Sequence, residues 1–237
     1  MKLDVLITTA HPDDAECCMG GTILKLIAQG KKVGICDFTA GELGTRGTSE
    51  IRLKEAAEAD KRLGLTVRIN LGFRDGFFKH DEEHVRAVIE VIRKYQPEIL
   101  FTNPLTDRHP DHGVAGKIAN DAAFLSGLPK IETNGLSCWR PKAIFHYIMA
   151  TQHQPDFIVD ITPYWEGKLH AIHAYASQFG SNKRVEGEPE TILTDSRFLP
   201  YLESRSRVLG MHAGATFAEG FLAPQIIKID DIMGLAA

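Results

Sequence analysis

Along the first half of the chain, short continuous apolar runs alternate with longer segments in which apolar residues return every third or fourth position. The runs at residues 3–9, 32–39, 67–71 and 97–103 have the length and β-branched content of buried strands. The segments at 20–27, 50–63, 81–95 and 113–124 carry the helical period. Local punctuation agrees with this division. Thr48 and Ser49 offer a cap for the second helix, Gly64 stops it, and the third shows Val85, Val88, Ile89 and Ile92 on one face. Such alternation, joined by right-handed crossovers, predicts a Rossmann-like α/β fold: a mostly parallel sheet with helices on both faces.

The regularity fades after about residue 125. Residues 143–149 and 157–161 read as strands and 163–177 as a helix capped by Thr162. Residues 180–195 read as a polar, mobile loop and 197–209 as a last helix ended by Gly210. No repeat, linker or low-complexity tract divides the chain, so one domain over 1–237 is expected, with a less regular C-terminal part. The Gly-rich stretch 40–48 is too long for a simple connection, and long ordered loops at strand exits carry function.

Composition narrows the function classes. At 43% hydrophobic, 237 residues bury a substantial core. The net charge of −4, from 27 basic and 31 acidic residues, has no basic stripe and no aromatic interleaving, which argues against a nucleic-acid partner. No apolar run approaches the roughly 18 residues of a membrane span, and residues 1–9 are too short for a signal-peptide core. A cytoplasmic enzyme without a membrane partner is the expectation. Cys17, Cys18, Cys36 and Cys138 lack zinc-finger or redox spacing. The adjacent pair at the start of a helix reads as small apolar filler rather than as thiolate ligands.

The chemistry concentrates in two loops. His11-Pro12-Asp13-Asp14-Ala15-Glu16 follows the first strand, and Asp107-Arg108-His109-Pro110-Asp111-His112 follows the fourth. Strand exits are where open α/β sheets hold their ligands, so two such loops can converge on one point. His11 and Asp14, three apart on a tight turn, can share an ion. Asp13 is a candidate base or a helix N-cap; Glu16 supports the site or opens a helix where an acid is favoured. His109 is a fourth ligand or a free imidazole. The first strand exit has neither G-x-G-x-x-G nor G-x-x-x-x-G-K-[ST], which weakens the rival reading of a nucleotide- or sugar-binding module.

The paired motifs His11-Pro12-Asp13-Asp14 and His109-Pro110-Asp111-His112 resemble the LmbE-like (PIG-L) family of zinc-dependent N-acetylglucosamine deacetylases. The resemblance extends to Gly41-Glu42-Leu43-Gly44-Thr45-Arg46-Gly47-Thr48 with Glu50 and Arg52, to Ser177-Gln178-Phe179, and to Phe217-Ala218-Glu219-Gly220-Phe221. The Gly41 to Thr48 stretch looks most like the branch that makes bacillithiol. The resemblance implies Zn2+ held by His11, Asp14 and His112, with an open position for water; Fe(II) or Co(II) suits the same ligands. It implies Asp13 as general base and an unligated, protonated His109 on the oxyanion. Asp111 is expected to orient an imidazole. Arg52, at a helix start where a cation is locally unfavourable, is expected to contact the sugar, and Arg108 a second anionic group. The family tyrosine two residues before the second motif is Asp107 here, expected to hold a sugar hydroxyl or set the charge of His109. Tyr201 and Tyr175 have no place assigned. The implied substrate is N-acetylglucosaminyl malate, with a mycothiol precursor, a chitobiose-like disaccharide or a glycopeptide sugar as alternatives. A homo-oligomer, in the form of a hexamer, is also implied.

Overall fold

The computed structural model describes residues 1–179 and 189–235, arranged around a seven-stranded sheet of order β3-β2-β1-β4-β5-β7-β6. β1 (Val5–Thr9) is buried along its whole length. On one side it pairs parallel with β2 (Val33–Asp37), and β2 with β3 (Val67–Asn70). On the other side β4 (Ile99–Thr102) and β5 (Ala143–Tyr147) follow, also parallel. The chain thus winds outward from β1 in one direction and returns to its other side with β4. That reversal leaves a crevice at the carboxyl ends of β1 and β4.

The period-two alternation of the strands divides the core between the two sheet faces. Val5, Ile7, Val33 and Ile35 pack with α1 (Asp14–Ala28) and α2 (Ser49–Leu63) through Ala15, Met19, Ile23, Ala56, Ala59 and Leu63. Leu6, Cys36 and Leu100 pack with α3 (Glu82–Tyr95) and α4 (Pro110–Leu125) through Val88, Ile92, Ala115 and Ile118. The expected cap and stop of α2 form, Thr48 accepting from Ile51 N and Gly64 closing the helix at φ 78°, and Asp81 caps α3 by accepting from His84 N. Each such N-cap contributes about 1 kcal/mol.

The departures are informative. α1 starts at Asp14, not at residue 20, and is interrupted at Met19 (φ −142°, ψ 20°). The apolar period marks only the segment beyond that break; the first turn is polar because it carries the chemistry. The carboxylate of Glu219 caps the second segment, accepting from Gly21 N at 3.0 Å and Thr22 N at 2.7 Å. It also pairs with Lys168 at 2.7 Å, both side chains being buried. Likewise α4 begins at Pro110, three residues before its apolar period.

In the C-terminal part the expected helix over 163–177 is divided into a 3-10 turn (Thr162–Tyr164), α5 (Trp165–Ile172) and α6 (Ala176–Phe179). Thr162 does not cap it; its hydroxyl takes the N–H groups of Thr216 and Phe217 at 3.1 Å. α7 (Phe198–Ala213) runs through Gly210 and ends at Gly214, φ 65°. Gly210 is instead a point of close approach, where a Cβ would lie 2.6 Å from the Ala215 carbonyl oxygen. β7 (Ala218–Leu222), antiparallel between β5 and β6 (Phe157–Asp160), has no apolar run to announce it. Of the loop expected over 180–195, residues 180–188 lie outside the described residues; Thr191 and Thr194 form a hydrogen-bonded turn.

Candidate active site

β1 and β4 are parallel neighbours, so their exit loops leave side by side. Asn103, just past β4, ties them together: its Oδ1 accepts from Ala10 N at 2.9 Å and its Nδ2 donates to Asp14 Oδ2 at 3.1 Å. The turn then bends through Asp13, which has φ 101° and ψ −23°. Asp13 occupies the N-cap position of α1, but its side chain makes no capping bond, which removes that alternative role. Asp14 accepts from His11 N at 3.1 Å and stands between the two motifs, with Oδ2 3.9 Å from His11 Nδ1 and Oδ1 3.5 Å from His112 Nε2. One nitrogen from each of His11, His109 and His112 lies within 4.8 Å of the others. The two loops therefore meet, and the imidazoles of both motifs share one space with Asp14.

The far sides of these rings are held by carboxylates. His11 Nε2 is 3.0 Å from Asp75 Oδ1 and 3.3 Å from Asp111 Oδ2. The imidazole that Asp111 faces is that of His11. Asp75, which the sequence reading did not single out, sits between the same ring and the Gly-rich loop, where its Oδ2 accepts from Leu43 N. Nothing in its local sequence distinguishes it from an ordinary loop acid. His112 Nδ1 faces Asp107 Oδ2 at 3.5 Å, and that carboxylate also accepts from Ala150 N at 3.1 Å and Arg108 N at 2.6 Å. Asp107 thus faces His112 as an ion-pair contact, while His112 Nδ1 is buried without a hydrogen-bond partner.

His109 caps α4. Its Nδ1 accepts from Asp111 N at 3.3 Å, which leaves Nε2 to carry the proton of a neutral ring. Arg52 is buried, at 4% exposure, and its guanidinium is turned onto Pro12 O (2.5 Å) and Asp13 Oδ2 (3.0 Å). Nη2 carries both contacts, while Nε is buried without a hydrogen-bond partner. Arg108 is exposed at the rim. Glu16 is directed away from the imidazoles, accepting from Arg68 at 2.8 Å and from the Tyr175 hydroxyl at 2.9 Å. Tyr175 is thereby engaged behind the catalytic turn, and Tyr201 is 40% exposed on α7. Cys17 and Cys18 are buried and their thiols held protonated, that of Cys18 pushed up to about 12 by burial.

The electrostatics favour positive charge at the meeting point. Burial opposes charge on His11, but hydrogen bonds to Asp111 and Asp75 and the proximity of Asp14 raise it to about 10. Burial opposes charge on His112 too, yet Asp14 and Asp107 raise it to about 9. Asp14, despite burial, is held below the usual carboxylate range by His112 and His11. Burial lifts Asp13 to about 7, opposed by Arg52 and reinforced by Asp14. His109 is lowered, first by burial and then by His11 and His112. The Asp111 N–H at Nδ1 leaves Nε2 as the donor nitrogen of the His109 ring. The donor set and its surplus of negative charge fit a divalent cation, since protons on two imidazoles otherwise supply the charge that such an ion would bring.

Comparisons with known proteins identify the family. The family model described as GlcNAc-PI de-N-acetylase (PIG-L) matches residues 6–123. The chain is 31% identical to a diacetylchitobiose deacetylase of Thermococcus kodakarensis, over 91% of this chain and 81% of that protein. It is 28% identical to a probable N-acetyl-alpha-D-glucosaminyl L-malate deacetylase of Bacillus anthracis, over 75% and 82%. The solved structure of N,N'-diacetylchitobiose deacetylase from Pyrococcus horikoshii superimposes with a TM-score of 0.80 at 29% identity, covering 98% of this chain and 88% of that one.

Proposed function

The chain belongs to the PIG-L (GlcNAc-PI de-N-acetylase) family and is an N-deacetylase of GlcNAc-type conjugates, and we propose that its substrate is N-acetylglucosaminyl malate. The observation that carries the chemistry is the convergence of both loops: Asp14 within 4 Å of His11 and His112, with Asp13 beside them but free of the capping role. His11, Asp14 and His112 would hold a divalent cation, proposed as Zn2+, which lowers the pKa of water to about 7 and polarises the amide carbonyl. Asp13 takes one proton from the attacking water. The water oxygen bonds to the acetyl carbon, and His109 donates its Nε2 proton as a hydrogen bond to the oxygen that becomes negative. Asp13 then returns its proton to the amide nitrogen as the C–N bond breaks, giving acetate and a free amine. Asp75 and Asp111 orient His11 by accepting the proton of its Nε2, and Asp107 holds its charge against Nδ1 of His112.

The malate conjugate is supported by the resemblance of the 41–48 loop and by exposed Arg108 at the rim, a cation suited to a carboxylate. A second reading, a chitobiose-type disaccharide, is favoured by the higher identity and coverage of the Thermococcus relative. The test is amine release from N-acetylglucosaminyl malate, diacetylchitobiose and plain N-acetylglucosamine, each with metal-loaded and chelator-stripped protein. A metal-dependent rate at least tenfold higher on the malate conjugate supports the proposal. A preference for the disaccharide discards the aglycone and keeps the mechanism. Equal rates on all three assign the specificity to the sugar alone.

A further inference from the structure

Asn103 lies outside both motifs, yet this fully buried residue just past β4 touches the exits of two other strands as well. Its Oδ1 accepts from Ala10 N, past β1, at 2.9 Å, and its Nδ2 reaches Met149 Sδ, past β5, at 3.2 Å. Its backbone carbonyl accepts from Nδ1 of His146, a residue of β5, at 2.6 Å. A Cβ on Gly116 of α4 would lie 2.7 Å from that same carbonyl oxygen, so the helix backbone packs directly against it. Backbone and side chain of Asn103 are thus both held by the scaffold.

The orientation of a side-chain amide is set by its partners. The Ala10 N–H can only donate, so the oxygen of Asn103 faces it and the nitrogen is turned toward Asp14. There Nδ2 donates to Asp14 Oδ2 at 3.1 Å, where the His11 backbone N–H also arrives at 3.1 Å. A carboxylate oxygen has two lone pairs, and on Oδ2 both are in use. Oδ1 is left on the other side, 3.5 Å from His112 Nε2. The terminal torsion of a free aspartate is broad and roughly two-fold; two fixed donors on one oxygen select one setting of it. They also favour the ionised carboxylate, which is the form that binds a cation.

We propose that Asn103 is a positioning residue for Asp14: its amide, oriented by the Ala10 N–H, holds Oδ2 so that Oδ1 is presented beside His112 to the ion. This rests on the reading of Asp14 as a metal ligand. It gives a residue outside both motifs a part in metal affinity, through the torsion and charge of a ligand that it does not replace.

The test is Zn2+ affinity of the folded protein, measured by chelator competition for Asn103→Ala, Asp14→Ala and both together, beside urea unfolding of each metal-free form. Asn103→Ala is expected to weaken Zn2+ affinity about 10–100-fold, the usual cost of removing an outer partner of a ligand. In the Asp14→Ala background the same change is expected to alter the residual affinity by less than about threefold, because the carboxylate it acts on is gone. A merely structural role, through the bond to Ala10 N, would lower stability in urea and leave the affinity of folded molecules where it was. Unchanged affinity in Asn103→Ala therefore overturns the positioning role, and so do losses that multiply in the double variant; both leave Asp14 as a ligand. Asn103→Gln, which keeps the amide but displaces it, carries the same affinity-against-stability split should Asn103→Ala not fold. If Asp14→Ala alone binds Zn2+ as the parent does, the ligand reading falls and this inference falls with it.

Discussion

At the break in α1, Lys168 and Glu219 meet at 2.7 Å, both side chains buried, and the remaining capacity of Glu219 is taken up by two backbone N–H groups. At the other end of the same helix's first segment, Asp13, Asp14, Asp75, Asp107 and Asp111 gather around His11, His109 and His112. The first region buries one cation against one anion and satisfies both. In the second, carboxylates outnumber the permanent cations, and the ring nitrogens face one another across a shared space. A balanced pair shapes the backbone. An unbalanced cluster has charge left over for a ligand, and in the proposed mechanism that is a divalent ion and a reacting amide.

The largest expected effect lies in the unbalanced cluster. Asp13→Asn keeps the shape but removes the basic carboxylate and should retain metal while losing about 10²–10⁴ in kcat, the usual contribution of a general base; steady-state rates with parallel metal analysis check this. The parent enzyme should also lose activity as pH falls, because a base must be unprotonated and Asp13 is lifted to about 7. A bound cation moves this limb to lower pH, and Asp13→Asn should lack it. Next comes the balanced pair. Lys168→Met strands the Glu219 carboxylate and should cost about 3–5 kcal/mol of stability, read by urea unfolding, while kcat per folded molecule changes less than threefold. A rate loss without a stability loss would erase the distinction between the two regions. Asp107→Asn should weaken metal affinity about 10–100-fold, the cost usual for a lost outer carboxylate, measured by chelator competition. Thr48→Ala, which removes one cap from α2, should cost about 1 kcal/mol.

The contrast also explains what was legible in the sequence. The parallel strands and helices of the first half announce themselves because both sheet faces are buried and the periods are clean. The site loops are legible because metal-ligating residue types recur at two strand exits. Asp75 is not, because its partner His11 lies 64 residues away and only the pairing of β1, β2 and β3 brings the two together. β7 escapes detection for a related reason: Glu219, a buried acid in mid-strand, is satisfied by Lys168 and by α1, partners that local pattern cannot supply. The burial of Arg52 was likewise hidden, since its position at a helix start does not reveal which way the guanidinium turns.

Asn103 joins the exits of two hydrogen-bonded strands, and neighbouring strands lie about 4.8 Å apart in any sheet. The separation between the two halves of the proposed ligand set is therefore gauged by the sheet itself, with the amide of Asn103 bridging the two exits. On the proposed reading, a new conjugate calls for changes in the outer loops alone, because the spacing that would receive the ion is set by the sheet.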